Sequence, residues 1–217
     1  FQSNIDIEFT FLPIFKYTTL PIESKWLENF KNGYFHWIIF TSFRSWQILM
    51  GQISESIVSF PNQTKIAVFG PASVAQIKQC RGRVDFTAQA HNAFDFGQKF
   101  VDQISPKEKI AYPASLASST QIEKSLSMND ICVCRENIYK PKCIIEPKKI
   151  SEIMDNFNPD SMVFFSSKSV QSFMDNCSVD ILNKIGKMQL FALGNPTSKV
   201  LREYSINKII KPKYPDI

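Results

Sequence analysis

Two stretches of this chain repeat one another at a constant distance. The segment "FTSFRSWQIL" begins at Phe40 and "FFSSKSVQSF" begins at Phe164, and both place serines, a cation and a glutamine in the same order. Downstream, "AVFGPASVAQI" from Ala67 matches "FALGNPTSKVL" from Phe191, so both pairs of segments are separated by 124 residues. Two motifs in one register, with no insertion between them, indicate a duplicated unit. A repeat of this length in a chain of 217 residues favours two domains.

Short apolar runs alternate with amphipathic segments along the chain. We interpret these runs as buried strands, at residues 37–41, 65–70, 109–113, 161–166 and 189–194. A further short strand is predicted at 207–212, and its partner at the repeat distance is 83–88. Strands that alternate with helices predict an α/β fold with parallel sheets and right-handed crossovers.

Two other segments alternate, end in proline and are predicted to be extended connectors, at about 8–18 and 134–142. The second lobe would then be contiguous, over residues 19–135, whereas the first lobe would combine 1–15 with 142–217. The strand at 109–113 and the helix after it have no counterpart in the first lobe, so we expect that lobe to be incomplete at both termini. The opening "FQSN" resembles the remnant of a cleavable tag. Whether a targeting segment was removed stays an open question.

The composition of the chain limits the kinds of molecule that it is expected to bind. The chain is 44% hydrophobic and 13% aromatic, which is enough for packed cores, and its net charge is +5 with a pI near 8.9. A basic balance suits nucleic acid, an anionic membrane or an acidic small molecule, but the scattered cations disfavour nucleic acid. No apolar run reaches the roughly eighteen residues of a membrane span. Five cysteines without CxxC spacing predict reduced thiols, and hence a cytoplasmic protein.

Hydroxyl side chains follow most of the predicted strands. In parallel α/β sheets, ligands bind outside the carboxyl ends of the strands, where helix N-termini favour anionic groups. Simple helix capping by serine and threonine is the alternative explanation at each turn. The candidate ligand contacts are Ser42, Ser73, Ser115, Ser118, Ser166, Ser169 and Thr197, and the cations Arg44 and Lys168 are either substrate contacts or ordinary surface charges.

Other chemical signatures are weak. Dinucleotide, P-loop and GxSxG motifs are absent from the sequence, and the two histidines have no acid or cysteine at catalytic spacing. Tyr139 ends the second connector beside Lys140 and Pro141, where its hydroxyl would face a cleft between the domains. The sequence alone leaves open whether this tyrosine packs or reacts.

Taken together, these motifs resemble the uroporphyrinogen-III synthase family over nearly the whole chain from Ile5. The resemblance is carried by "WIIFTSFRS", "KIAVFGPAS", "KIAYP", "ENIYKP", "MVFFSSKSV" and "FALGNPTSKVL", in that order and spacing. It implies two α/β lobes with parallel, flavodoxin-like sheets joined by two extended connectors. It also implies a monomeric cytoplasmic lyase without cofactor or metal, and possible hand-over of substrate from the preceding pathway enzyme.

The implied reaction cyclises hydroxymethylbilane, a linear tetrapyrrole with eight carboxylates, with inversion of ring D and loss of water in haem biosynthesis. Such a substrate suits a basic site lined by amides and hydroxyls. The resemblance assigns Tyr139 to the leaving hydroxyl, as proton or hydrogen-bond donor. It matches Ser73 and Thr197 to the family's threonine turns, and Ser42 and Ser166 to its serine turns.

This sequence departs from the family pattern at three places. Ser73 replaces a commoner threonine, Phe43 stands where proline is usual, and "YPASL" lacks an Arg-Gly pair, which puts anion contacts at 114–119 in doubt. Two other interpretations stay open at this point. One is a non-catalytic two-lobed binding or regulatory module with the same fold, and the other is a hinged α/β small-molecule binding protein.

Overall fold

The computed structural model describes residues 7–55, 60–105 and 107–212. The expected tag remnant and the last five residues lie outside these ranges. The strands are β1 (Phe15–Thr19), β2 (Trp37–Phe40), β3 (Lys65–Val68), β4 (Ile110–Ser115), β5 (Val133–Cys143), β6 (Ser161–Phe164), β7 (Gln189–Ala192) and β8 (Ile209–Ile210). The helices are α1 (Ser24–Lys31), α2 (Phe43–Glu55), α3 (Pro71–Gln79), α4 (Ala93–Phe100), α5 (Gln121–Ser127), α6 (Pro147–Asn156), α7 (Ser167–Met174), α8 (Val179–Ile185) and α9 (Asn195–Glu203).

The chain forms two compact units. Unit 2 is Tyr17–Pro141, and unit 1 combines the chain up to Lys16 with the chain from Lys142 onward. The boundaries therefore fall inside β1 and β5, which are the strands of the two extended connectors. The predicted α/β class with parallel sheets is confirmed, because β2, β3, β4 and β5 pair in parallel, as do β6, β7 and β8.

Within the described residues, one sheet has the strand order β1-β5-β4-β2-β3 and the other has the order β6-β7-β8. The connectors add one antiparallel pair to the first sheet. Leu20 donates its backbone N–H to the carbonyl of Ile138, and Ile144 donates to Ile14, so the paired residues run in opposite directions. This pairing ties β1 along the edge of β5.

The repeat distance of 124 residues holds in the structure down to single residues. β2 and β6 begin at Trp37 and Ser161, and α2 and α7 begin at Phe43 and Ser167. The same offset relates β3 to β7 and α3 to α9, at both ends of each element. Segment 83–88, predicted as a strand, forms only a single bridge from Phe86 to Ala67, at the position that corresponds to the pairing of β8 with β7.

The two sheets differ in how they are covered. Along β2, Ile38 and Phe40 belong to one buried cluster whereas Trp37 and Ile39 belong to another, because successive side chains point to opposite faces. Both faces of that sheet are therefore buried. In β6, however, Val163 is 51% exposed although its counterpart Ile39 is fully buried, so the prediction of a buried strand at 161–166 is wrong for one face.

The physical reason for this difference is a missing layer. In unit 2, helices α4 and α5 supply Phe96, Phe100, Ile122 and Leu126 to the cluster that covers the second face. Among the described residues of unit 1, no pair of helices occupies the corresponding position, and its buried residues form a single cluster. In the part of the chain that the structure describes, no helix has the length and apolar character needed to cross a membrane.

Candidate functional site

Tyr139 lies within β5, beside the carboxyl ends of β4 and β2. The strand order places β4 between β5 and β2, and the backbone of Tyr139 pairs with Ser115, the last residue of β4. The Leu116 N–H then donates to the Tyr139 carbonyl at 2.8 Å, which fixes the turn after β4 against β5. Parallel strands bring these carboxyl ends to one edge, which is the ligand-binding edge of α/β sheets.

The Tyr139 side chain is 5% exposed and packs in the main hydrophobic cluster of unit 2. Its hydroxyl oxygen lies 3.2 Å from Oγ of Ser42, which directly precedes α2. Ser42 Oγ accepts the backbone N–H of Ser45 at 3.2 Å and lies 3.0 Å from Ser45 Oγ. Ser42 and Tyr139, which the sequence analysis named separately, are thus brought together, although the two residues are 97 positions apart in sequence.

A second aromatic ring holds Tyr139 from the connector side. Tyr17 in β1 meets the Tyr139 ring edge to face, with ring centroids 5.8 Å apart. The guanidinium of Arg44 lies 3.7 Å from the centre of the Tyr17 ring, within the range of a cation–π contact. Arg44 is exposed, so its cation stays accessible to an anion while its position is restrained by the ring.

Arg135 holds the turn that follows β4. Its five N–H groups donate hydrogen bonds to three backbone carbonyls of that turn and to two side-chain oxygens. The acceptors are the carbonyls of Ser115 (2.7 Å), Ser118 (3.1 Å) and Ser119 (3.4 Å), Oε1 of Glu123 (2.7 Å) and Oδ1 of Asn137 (2.9 Å). A guanidinium has five donors, so Arg135 has none left for a substrate anion. This side chain therefore stabilises the turn instead of binding substrate.

Tyr112 forms a second hydroxyl pair at the same edge. Its hydroxyl lies 3.1 Å from Oγ1 of Thr41, and the side chain is 2% exposed. Burial raises the pKa of the Tyr112 phenol, and the Glu123 carboxylate adds to this increase, whereas the hydrogen bond with Thr41 opposes it. Tyr112 is therefore a neutral hydroxyl at physiological pH.

The other predicted contacts of unit 2 are less available. Ser115 is 7% exposed, and its Oγ accepts the Ala117 N–H at 3.2 Å within the turn. Ser118 and Ser73 are half-buried, the first in that turn and the second in the first turn of α3. Arg44 and Ser73 are thus better placed for a ligand than Ser115.

In unit 1, Ser166 and Ser169 form a capping box at the start of α7, and Ser166 and Lys168 are exposed. Thr197, in contrast, is 4% exposed within α9. The capping explanation and the ligand explanation are therefore both compatible with Ser166, whereas burial weakens the ligand explanation for Thr197.

Sequence reasoning missed Arg135 and Tyr17 as parts of this site. Both lie in the extended connectors, where an alternating pattern marks strands but does not reveal partners. Arg135 pairs with Tyr112 and Tyr139 pairs with Ser115, with a register shift of the β4–β5 pairing between them, so the alternation of β5 did not place Arg135 beside this site. Ser45 is one of the serines of the repeated segment that begins at Phe40, and its burial could not be predicted from the sequence.

Comparisons with known proteins agree with this architecture. The family model of uroporphyrinogen-III synthase HemD matches residues 4–217. The uroporphyrinogen-III synthetase structure from Helicobacter pylori is similar with a TM-score of 0.68 at 15% identity, over 95% of this chain and 87% of that one.

Two structures of uroporphyrinogen III synthase from Thermus thermophilus are also similar. A mutant form gives a TM-score of 0.57 at 11% identity, over 94% of this chain and 83% of that one. The wild-type protein gives 0.52 at 12% identity, over 92% and 80%. No curated protein sequence matches the chain. The family match does not favour the alternative of a non-catalytic module.

Proposed function

This chain belongs to the uroporphyrinogen-III synthase family of cyclising lyases, and we propose that Tyr139 donates a proton or a hydrogen bond to the hydroxyl that leaves the substrate. The reaction closes hydroxymethylbilane into a ring with inversion of ring D and loss of water. The supporting observation is the position of the Tyr139 hydroxyl, at the carboxyl edge of the unit 2 sheet and 3.2 Å from Ser42. Loss of the substrate hydroxyl as water requires a proton at the departing oxygen. General acid catalysis of this kind contributes about 10²–10⁴-fold.

The remaining rate enhancement comes from positioning. The pyrrole nitrogens of the substrate expel the hydroxyl themselves, so the enzyme's larger task is to hold the last ring for closure through its inverted position. Alignment of reacting groups is worth several orders of magnitude. The fixed turn after β4 and the packed ring of Tyr139 suit this role, because neither needs to rearrange around the substrate.

The eight carboxylates of the substrate are proposed to contact hydroxyls and cations at the carboxyl edges of both sheets. In unit 2 these would be Arg44, Ser73 and Ser118, and in unit 1 Ser166, Lys168 and Ser169. Ser115 and Thr197 would contribute less because they are 7% and 4% exposed. Increasing ionic strength should raise KM, since charge attraction is screened within about 10 Å at 0.1 M salt. A salt-independent KM would contradict this assignment.

The test of Tyr139 is the substitution Tyr139→Phe, assayed as the rate of isomer III formation from hydroxymethylbilane. We expect kcat to fall roughly ten-fold or more, and at most by the roughly 10²–10⁴-fold that general acid catalysis contributes, with little change in KM. Tyr112→Phe is the matched control, because it also removes one buried phenol hydroxyl that pairs with a neighbouring hydroxyl. A Tyr139→Phe enzyme as fast as the wild type would show that Tyr139 only packs.

We also propose that the enzyme is a monomer that works in the cytoplasm and receives its substrate from the preceding pathway enzyme. The five cysteines support a reducing compartment, because all of them are free thiols in the described chain. Light scattering at working concentration tests the monomer, and a coupled assay with excess inactive enzyme as competitor tests the hand-over.

A further inference from the structure

The direction of the hydrogen bonds around Tyr139 follows from the burial of Ser45. The Ser45 side chain is 1% exposed, and within the described ranges its hydroxyl has Ser42 Oγ, at 3.0 Å, as its sole hydrogen-bond partner. A buried hydroxyl proton without an acceptor is costly. The Ser45 hydroxyl therefore donates to Ser42.

Ser42 then has no acceptor capacity left. A hydroxyl oxygen accepts through two lone pairs and donates one proton. Ser42 Oγ receives the Ser45 hydroxyl proton and also the Ser45 backbone N–H at 3.2 Å. Its own proton is left for the Tyr139 oxygen, which lies 3.2 Å away.

Tyr139 is consequently an acceptor toward Ser42. Its own O–H is then the one proton of the three hydroxyls without a protein acceptor among the described residues, and Tyr139, at 5% exposure against 1% for Ser45, is the residue of the two with more access to water or substrate. Among the residues that the structure describes, Ser42 is the only hydrogen-bond partner of the Tyr139 hydroxyl. We propose that Ser45 and Ser42 form a directed hydrogen-bond chain that keeps the Tyr139 O–H as a donor to the substrate. This inference rests on the proposed role of Tyr139 and makes Ser45 a positioning residue.

The second copy of the serine turn, at Ser166 and Ser169, shows that the spacing of the two serines alone does not set the direction of the hydrogen bond between their hydroxyls. Ser169 Oγ donates to the Ser166 carbonyl at 2.7 Å, so Ser166 Oγ donates to Ser169 Oγ at 3.0 Å. The proton order is thus the reverse of that in unit 2, and it ends on the backbone of the same turn. Unit 2 differs because the Ser45 hydroxyl has Ser42 Oγ as its partner among the described residues, and because Tyr139 provides a terminal acceptor.

The chain has a defined role in the chemical step. As the C–O bond of the substrate breaks, the Tyr139 proton moves to the departing oxygen and water forms. Negative charge then develops on the Tyr139 oxygen, where the hydrogen bond from Ser42 stabilises it, and hydrogen bonds to charged groups are stronger than neutral ones. Because the product is the substrate minus water, the substrate releases one proton during closure, and that proton returns to Tyr139.

The test is Ser45→Ala in the intact enzyme, with kcat and KM measured for isomer III formation. Without the Ser45 hydroxyl, Ser42 regains a lone pair and Tyr139 can turn its proton toward Ser42 and away from the substrate. We expect kcat to fall about three- to ten-fold, the value of one hydrogen bond, with KM unchanged. Ser45→Thr, which retains the hydroxyl, should restore most of kcat.

Two controls separate this role from a structural one. Ser125→Ala removes another buried serine hydroxyl of unit 2, one that bonds the Phe94 carbonyl, and it should leave kcat per folded enzyme unchanged. Ser45→Ala added to Tyr139→Phe should give no further loss, because the chain then has no phenol to orient.

An equal loss in both backgrounds, an unchanged kcat or a raised KM would each overturn the inference. The outcome is distinguishable from failure of the proposed function, because that failure appears in Tyr139→Phe alone.

Discussion

Arg135→Met is expected to destabilise unit 2 much more than its position in a connector suggests. The guanidinium joins β5 to the turn after β4 and to the first turn of α5, through an ion pair of 2.7 Å with Glu123. Methionine retains most of the apolar stem but none of the donors. The substitution therefore leaves three carbonyls of the turn and one carboxylate without this partner. Oε2 of Glu123 is already buried and has no hydrogen-bond partner among the described residues.

The magnitude follows from the burial of the ion pair. The Arg135 and Glu123 side chains are 18% and 24% exposed. Removal of one partner from a fully buried pair costs about 3–5 kcal/mol, and partial solvent access reduces this to about 2–4 kcal/mol here. Arg135→Lys should cost less, since an ammonium retains the charge and three donors. The double variant Arg135→Met with Glu123→Gln should regain part of the loss, because it removes the unpaired carboxylate.

Tryptophan fluorescence during urea unfolding measures the loss in the free energy of unfolding and reports on unit 2 alone. The three tryptophans, Trp26, Trp37 and Trp46, all lie within unit 2. Arg83→Met is the matched control, because Arg83 also bonds a carboxylate and two carbonyls but is 47% exposed. We expect it to cost about 1 kcal/mol or less, as exposed ion pairs do. Equal losses for the two variants would refute the view that Arg135 acts as a buried clamp.

Three further predictions concern backbone strain and titration. Gly70→Ala should cost about 1–3 kcal/mol more than Gly194→Ala, although the two glycines are equivalent in the repeat, because Gly70 has φ of 90° whereas Gly194 is extended. Hydrogen exchange of β3 and β7 in the two variants measures the difference, and equal protection would contradict it.

Burial raises the pKa of the Cys177 thiol to about 12, so Cys177 should be the slowest of the five thiols to alkylate at pH 8 in mass-spectrometric mapping. A Cys177 that reacts as fast as the others would show that the site opens readily. The hydrogen bond to Asp175 raises the pKa of Tyr204 to about 12, so the stabilisation it provides is complete below pH 10 and is lost as the pH rises toward 12. Tyr204→Phe should abolish this part of the alkaline destabilisation, and an unchanged alkaline profile would show that the bond does not form in solution.

The sequence by itself determined the order and register of the repeated elements. Apolar runs, serine turns and amphipathic segments are local patterns, and the offset between the two copies places β2 on β6 and α2 on α7 at the same residues. It also indicated Tyr139 and Ser42, although as separate motifs. Local propensity suffices for such predictions because each strand and each helix start depends mainly on its own neighbours.

Tertiary structure alone decided which of these residues meet and which are buried. Tyr139 reaches Ser42 because β4 separates β5 from β2, an order that no local pattern specifies. Burial of Ser45, at 1% exposure, orders the protons of the hydroxyl chain, and Arg135 finds its five acceptors only after the turn closes. These contacts depend on which elements pack together, and that packing is set by the whole core because the free energy of burial is shared among residues far apart in sequence.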